Sequence, residues 1–300
     1  MSDAATSPRP RPEDLEAIGA LKLQARAVVE GVLAGLHRSP HKGASVEFAE
    51  YKEYAPGDDV RHIDWRAYGR KDRYYVKQFE DETNVRIYLL LDASGSMGFG
   101  FEGGPTKWSW SCQLVSALAW LGLRQGDAPG LLLFDSAPGV LVPPSSRRAQ
   151  LDDIASVLAA HTPSGETRPD AALSRVAERV HARSIVVLCS DLLDDAEAWL
   201  TLARVLRKRA MEVVVFHVND PAELELPYEG VTLFEGLEGE EDLLADPDDI
   251  RDAYKDAVAA HAEAIRGACR AGDLEYYAAT TDQRVSDVIL RWLVDRAGGR

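Results

Sequence analysis

Long apolar runs are missing from this chain of 300 residues. None approaches the ~20 residues that a membrane-crossing helix needs. Positive charge is also scarce. Lys and Arg number 34 against 49 Asp and Glu, for a net charge of −15. That balance excludes the basic surface that nucleic-acid phosphates require, and it weighs against anchoring on anionic lipid. Cysteine is limited to Cys112, Cys189 and Cys269. The odd number and wide spacing exclude a disulfide framework and a zinc-binding pattern, and Cys112 and Cys189 read as buried thiols inside apolar segments. Residues 1–12 are rich in Ser, Pro and Arg, lack the apolar core of a signal peptide, and read as a disordered tail. These absences predict a soluble, cytoplasmic protein in a reducing compartment, with no nucleic-acid partner and no membrane span.

What is present is ordinary for a globular chain. Apolar residues make up 46% and charged residues 28%, enough for one large α/β domain with an appendage. From about Glu13 to Arg38, apolar residues recur at three- and four-residue steps (Leu15, Ile18, Leu21, Ala25, Val28, Val29, Val32, Leu36). This spacing predicts a long amphipathic helix that docks on something. Residues 13–84 form a helix and a small β unit, with short strands expected at 45–54 and 74–79 around the turn-rich Ala55-Pro56-Gly57-Asp58-Asp59.

Residues 85–300 alternate strand and helix patterns. Strands are expected at 85–91, 130–134, 140–142, 185–189, 213–218, 231–234 and 274–278. Helices are expected after the first strand, near 146–160 and 169–182, and over 196–209, 247–270 and 285–297. Several strands are continuously apolar, as in a sheet buried on both faces. The expected fold class is therefore α/β, a doubly wound, mostly parallel, Rossmann-like sheet with the small helix-plus-strand unit at its N-terminal side.

Asp92-Ala93-Ser94-Gly95-Ser96 directly follows the apolar run ending at Leu91, and Asp191 follows the strand ending at Ser190. Thr167 stands between them, in Gly165-Glu166-Thr167, on a loop that opens a helix. In doubly wound sheets, ligands gather outside the carboxyl ends of the strands. Asp92, Ser94, Ser96, Thr167 and Asp191 make an all-oxygen set of three hydroxyls and two carboxylates. Such a set suits Mg2+ or Mn2+ and disfavours zinc. Two carboxylates only balance a doubly charged ion, which stays electrophilic enough to take a partner's carboxylate. That chemistry fits ligand capture better than bond breaking. For the loop by itself, a helix-capping Ser/Asp turn is the alternative.

These residues resemble a von Willebrand factor A domain with its metal-ion-dependent adhesion site. A second segment, Glu47-Phe48-Ala49-Glu50-Tyr51-Lys52-Glu53-Tyr54-Ala55-Pro56-Gly57-Asp58-Asp59-Val60-Arg61-His62-Ile63-Asp64-Trp65, resembles the hallmark of the "domain of unknown function fifty-eight" family. That hallmark stands just before the adhesion-type domain, as here. The resemblance implies a bacterial or archaeal accessory protein, an adaptor or assembly factor for a MoxR-type AAA+ ATPase. Many relatives carry an N-terminal membrane hairpin that this sequence lacks. Within the hallmark, Asp58, Asp59, Arg61, Asp64 and Trp65 are candidate partner-docking residues. The alternative is a turn clamped by ion pairs, with Trp65 as core.

Rival chemistries lack their residues. Gly98-Phe99-Gly100-Phe101-Glu102-Gly103 matches a dinucleotide fingerprint, but six residues, Asp92 to Met97, separate it from the strand that should run straight into it. The second Asp of an Asp-x-Asp phosphatase is replaced by Ser94, and neither a Gly-x-Ser-x-Gly elbow nor a P-loop is present. The seven histidines form no metal-binding spacing, and only His161 lies near Thr167 in sequence. The acidic run from Glu235 to Asp249 reads as a solvated loop and helix start, with a charged contact to a basic partner as its alternative. Asp194 and Asp195 read as helix caps. The sequence thus predicts a non-enzymatic, metal-dependent protein-interaction module. The alternatives are a Mg2+-dependent hydrolase on the same residues and a scaffold with an empty site.

Overall fold

The structure, a computed structural model, describes residues 12–38, 51–53, 75–77, 85–135, 139–166, 184–193, 201, 204–205, 207–208 and 212–297. The N-terminal helix α1 spans Pro12–Arg38, and β1 (Tyr51–Glu53) pairs antiparallel with β2 (Tyr75–Lys77). The main sheet is built from β3 (Arg86–Asp92), β4 (Ala128–Phe134), β5 (Leu141–Val142), β6 (Ser184–Ser190), β7 (Glu212–Asn219) and β10 (Glu275–Thr280). Its order is β10-β7-β6-β3-β4-β5, with every neighbouring pair parallel except the antiparallel edge strand β5. The mostly parallel, doubly wound sheet is thus the one expected.

The two faces of the sheet follow from strand alternation. Leu89, Leu91, Leu131, Leu133, Val187, Val214 and Phe216 point to one side. There they meet α2 (Lys107–Arg124), α3 (Gln150–Ala160) and α6 (Val285–Ala297). Tyr88, Leu90, Leu132, Val186, Leu188, Val213 and Val215 point to the other side, against Ile265 and Cys269 of α5 (Pro247–Ala271). Central strands covered on both faces have no solvent side, which is why they read as unbroken apolar runs.

The docking partner of the long first helix is now defined. Ala25, Val29 and Val32 of α1 are fully buried, and the helix lies across α2, α3 and α6. At the α6 crossing Gly31 faces Ser286, where a Cβ would make ordinary van der Waals contact at 3.5 Å.

Local signals account for the helix starts. The Thr106 hydroxyl accepts from the Ser109 amide at 3.0 Å and caps α2. Asp246 caps α5 ahead of Pro247, the favoured first-turn residue. A short helix α4 (Pro221–Glu225), absent from the sequence reading, opens on a reciprocal capping box between Asp220 and Glu223.

The acidic run differs from its expected form. Residues Leu243–Ala245 form β9, which pairs antiparallel with β8 (Thr232–Phe234). The run is therefore the tip and second strand of a hairpin as well as a helix start. Of the other expectations, the helix at 169–182, most of that at 196–209 and the caps Asp194 and Asp195 lie outside the described residues. Among the described residues, no helix is long and apolar enough to cross a membrane.

Candidate functional site

β3 and β6 run side by side, in register to Leu91 opposite Cys189. Each strand therefore delivers its last polar residues to the same crevice at the carboxyl end of the sheet. Asp92, Ser94 and Ser190 are fully buried, Asp191 is 1% exposed and Ser96 is 4% exposed. Thr167 lies outside the described residues, but the loop leading to it does not. The Ser164 amide donates to Ala93 O at 3.0 Å and the Gly95 amide to Gly165 O at 2.9 Å. Those two backbone bonds zip the Ser164–Gly165 segment onto the Asp92 loop.

Asp92 is held by neutral donors. Its Oδ1 accepts from the Ser94 amide at 3.0 Å and its Oδ2 from the Ser190 hydroxyl at 2.5 Å. The same Ser190 hydroxyl accepts from the Leu192 amide at 3.0 Å. Burial, and then the neighbouring Asp191 carboxylate, push the Asp92 carboxyl up to about 7. The Ser94 and Ser96 hydroxyls face one another at 3.1 Å.

Asp191 is held by a cation. Lys107, the first residue of α2, is fully buried, and its ammonium donates to Asp191 Oδ2 at 2.7 Å and to Glu223 Oε1. Burial alone would lower the Lys107 pKa, but the carboxylates of Asp191 and Glu223 together raise it above its ordinary value. The residue after Asp191, Leu192, takes a left-handed backbone (φ 52°) while almost fully buried. A bulky residue is held there only because its surroundings over-determine it.

The hairpin closes over the loop from the other side. Glu238 accepts from the Ser96 amide at 3.2 Å. Gly95 is required by this approach, because a Cβ on it would stand 2.1 Å from the Leu237 carbonyl oxygen. Phe234 of β8 meets Tyr228 edge-on at 5.5 Å, and Tyr228 meets Phe101 edge-on at 5.5 Å. An aromatic chain thus ties the hairpin to the glycine-rich rim, Gly98 to Gly103, which follows a 3-10 turn at Gly95–Gly98 and ends in another at Phe101–Gly103.

Four of the five expected metal ligands are therefore brought together: Asp92, Ser94, Ser96 and Asp191. The docking candidates Asp58, Asp59, Arg61, Asp64 and Trp65 lie outside the described residues. The His161 ring lies tilted by 46° against Trp108, with ring centres 5.3 Å apart. Ser190, Lys107, Glu223 and Glu238 are the polar residues of the site that the sequence reading missed. Among the described residues, no group of three or more His, Cys, Asp or Glu is placed to hold a metal ion. The expected set, with only two carboxylates, is of a different kind. Its donors fit a hard cation: two buried hydroxyls 3.1 Å apart, flanked by two buried carboxylates.

The chain matches the family described as "Protein of unknown function DUF58" over residues 50–264. It is 28% identical over 294 residues to the uncharacterized protein Rv1480 of Mycobacterium tuberculosis, covering 96% of this chain and 91% of the relative. The uncharacterized protein Mb1516 of Mycobacterium bovis matches to the same extent. Among solved structures, the conserved hypothetical protein BatB from Bacteroides thetaiotaomicron is similar at a TM-score of 0.47 and 16% identity, over 72% of this chain and 100% of that one. The SpRpn10 VWA domain is similar at 0.40 and 12% identity, over 68% of this chain and 93% of that one. The family match takes in most of the signature segment together with Asp92 and Asp191, so the chain belongs to the family of proteins of unknown function DUF58.

Proposed function

We propose that this protein is a metal-dependent protein-interaction module, an adaptor or assembly factor for a MoxR-type AAA+ ATPase, and not an enzyme. One observation carries the reading. Two buried carboxylates and two buried hydroxyls converge at adjacent strand ends, and the two hydroxyls stand 3.1 Å apart. Asp92, Ser94, Ser96, Asp191 and Thr167 would hold Mg2+ or Mn2+, which would supply an electrophilic centre for a partner's carboxylate.

The hairpin supports an interaction role independently. Val231, Leu233, Leu237, Leu243 and Leu244 account for five of the eight large apolar side chains that are exposed among the described residues. Leu233 and Leu244 face each other across the strand pair at 53% and 66% exposure. Glu235, Glu238, Glu240, Glu241 and Asp242 lie in the connection between the two strands. An apolar groove with a basic rim is the complementary surface. The AAA+ partner itself is carried by the family resemblance of the segment Glu47–Trp65.

The test is capture of a purified MoxR-type ATPase on immobilised protein, with Mg2+ and with chelator. Binding lost in chelator and in Asp191→Ala is the expected result. Binding retained in chelator sinks the metal bridge, and absence of binding in both conditions sinks the ATPase partnership.

A further inference from the structure

Lys107 is among the largest fully buried side chains of the described residues, and it is charged. Nothing local favours it there. It opens an 18-residue helix, where the helix dipole repels a cation and attracts an anion. A buried ammonium is also among the costliest groups to desolvate. Only the tertiary fold compensates, by bringing Asp191 from the end of β6 and Glu223 from α4 onto one nitrogen.

The two carboxylates are not equivalent. Glu223 is fixed independently of Lys107, because its other oxygen, Oε2, accepts from the Asp220 amide at 2.7 Å within the capping box of α4. Asp191 accepts from the same ammonium through Oδ2. It is also the carboxylate that a divalent ion held by Asp92, Ser94 and Ser96 would need. A single buried carboxylate, that of Asp191, thus faces an ammonium already present and would be wanted by a metal.

We propose that Lys107 is a tethered cation that occupies Asp191 in the metal-free protein, so that a divalent ion must win Asp191 from it while the ammonium falls back on Glu223. This rests on the metal-binding reading above and adds to it a residue that sets the affinity. Two consequences follow from electrostatics. The tether keeps the carboxylate cluster folded without metal, since the cluster never lacks a counter-charge. It also weakens metal binding, through competition for Asp191 and through repulsion between two buried cations at short range. A partner that offers its own carboxylate would shift the contest toward the metal, so metal and partner would bind more tightly together than either alone.

The experiment is a Mn2+ titration of the full chain, following the thermal midpoint and the loss of the free-ion electron paramagnetic resonance signal. The proteins are wild type, Lys107→Met, Lys107→Arg and Asp191→Ala. Lys107→Met should melt below the wild type in chelator, yet bind Mn2+ roughly 10- to 100-fold more tightly, the range over which groups around a metal site tune affinity. Lys107→Arg, which keeps the charge, should stay near wild type, and Asp191→Ala should lose the response. If Lys107→Met does not fold, Lys107→Gln carries the same measurement.

Equal or weaker binding by the neutral variant than by wild type overturns the tether and leaves the metal site standing. Absence of binding in wild type and in both neutral variants overturns the metal site itself, and the tether with it. Binding by the neutral variant alone is the strongest support, since it means that the ammonium excludes the ion entirely.

Discussion

The two strand ends that meet in the crevice both bury an aspartate, but they compensate it differently. At the end of β3, Asp92 is surrounded by an amide and a hydroxyl, and its carboxyl is pushed up to about 7. At the end of β6, Asp191 is met by the Lys107 ammonium at 2.7 Å. Neutral donors soften the cost of a buried charge without cancelling it, whereas an opposite charge cancels it and brings its own desolvation cost. The asymmetry makes the β3 end the half held by neutral donors and the β6 end the ion-paired half.

Breaking the ion-paired half should have the larger effect. Lys107→Ala leaves the buried Asp191 and the half-buried Glu223 without their cation, and breaking a buried pair costs about 3–5 kcal/mol. Denaturant unfolding in chelator should show that loss, and an unchanged midpoint would mean that Asp191 finds another partner. Breaking the neutral half should cost less. Ser190→Ala removes the hydroxyl from Asp92 Oδ2 and from the Leu192 amide together, and bonds to a charged group are worth about 1.5–3 kcal/mol. If its loss exceeded that of Lys107→Ala, the ranking of the two halves would be reversed.

The smallest of the three changes sharpens the comparison from outside. Gly95→Ala puts a methyl group where the Leu237 carbonyl lies, and overpacking of this kind costs about 1–3 kcal/mol. The hairpin can move outward to relieve the clash, so the loss should fall at the low end of that range. Limited proteolysis between Glu235 and Asp242 should accelerate. Unchanged cleavage would show that the strain is taken up by the β3 loop instead.

The legible part of this molecule was the part governed by short-range pattern. The apolar runs located every strand of the main sheet to within two residues, and α6 has the bounds that its periodicity indicated. Asp92, Ser94, Ser96 and Asp191 were legible because a buried strand followed by hydroxyls and carboxylates is a local arrangement. Lys107 was not. A lysine at the start of an amphipathic helix looks solvated, and its partners Asp191 and Glu223 lie 84 and 116 residues away. Ser190 was read only as the end of a strand, since its bond to Asp92 exists only once β3 and β6 pair. β9 was hidden because Leu243-Leu244-Ala245 is short, has no β-branched residue and sits among acids. Glu238 was lost in the same acidic run.

The crossing of α1 with α6 bears on the order in which the molecule can be made. The first helix leaves the ribosome early, yet one of the surfaces that buries Val29 and Val32 belongs to residues synthesised roughly 250 positions later, a separation that makes ring closure slow. Until then the apolar stripe of α1 is a sticky segment of the nascent chain, in need of shelter. Once the last helix arrives, the beginning and end of the described fold close on each other, and neither can peel away without exposing the other.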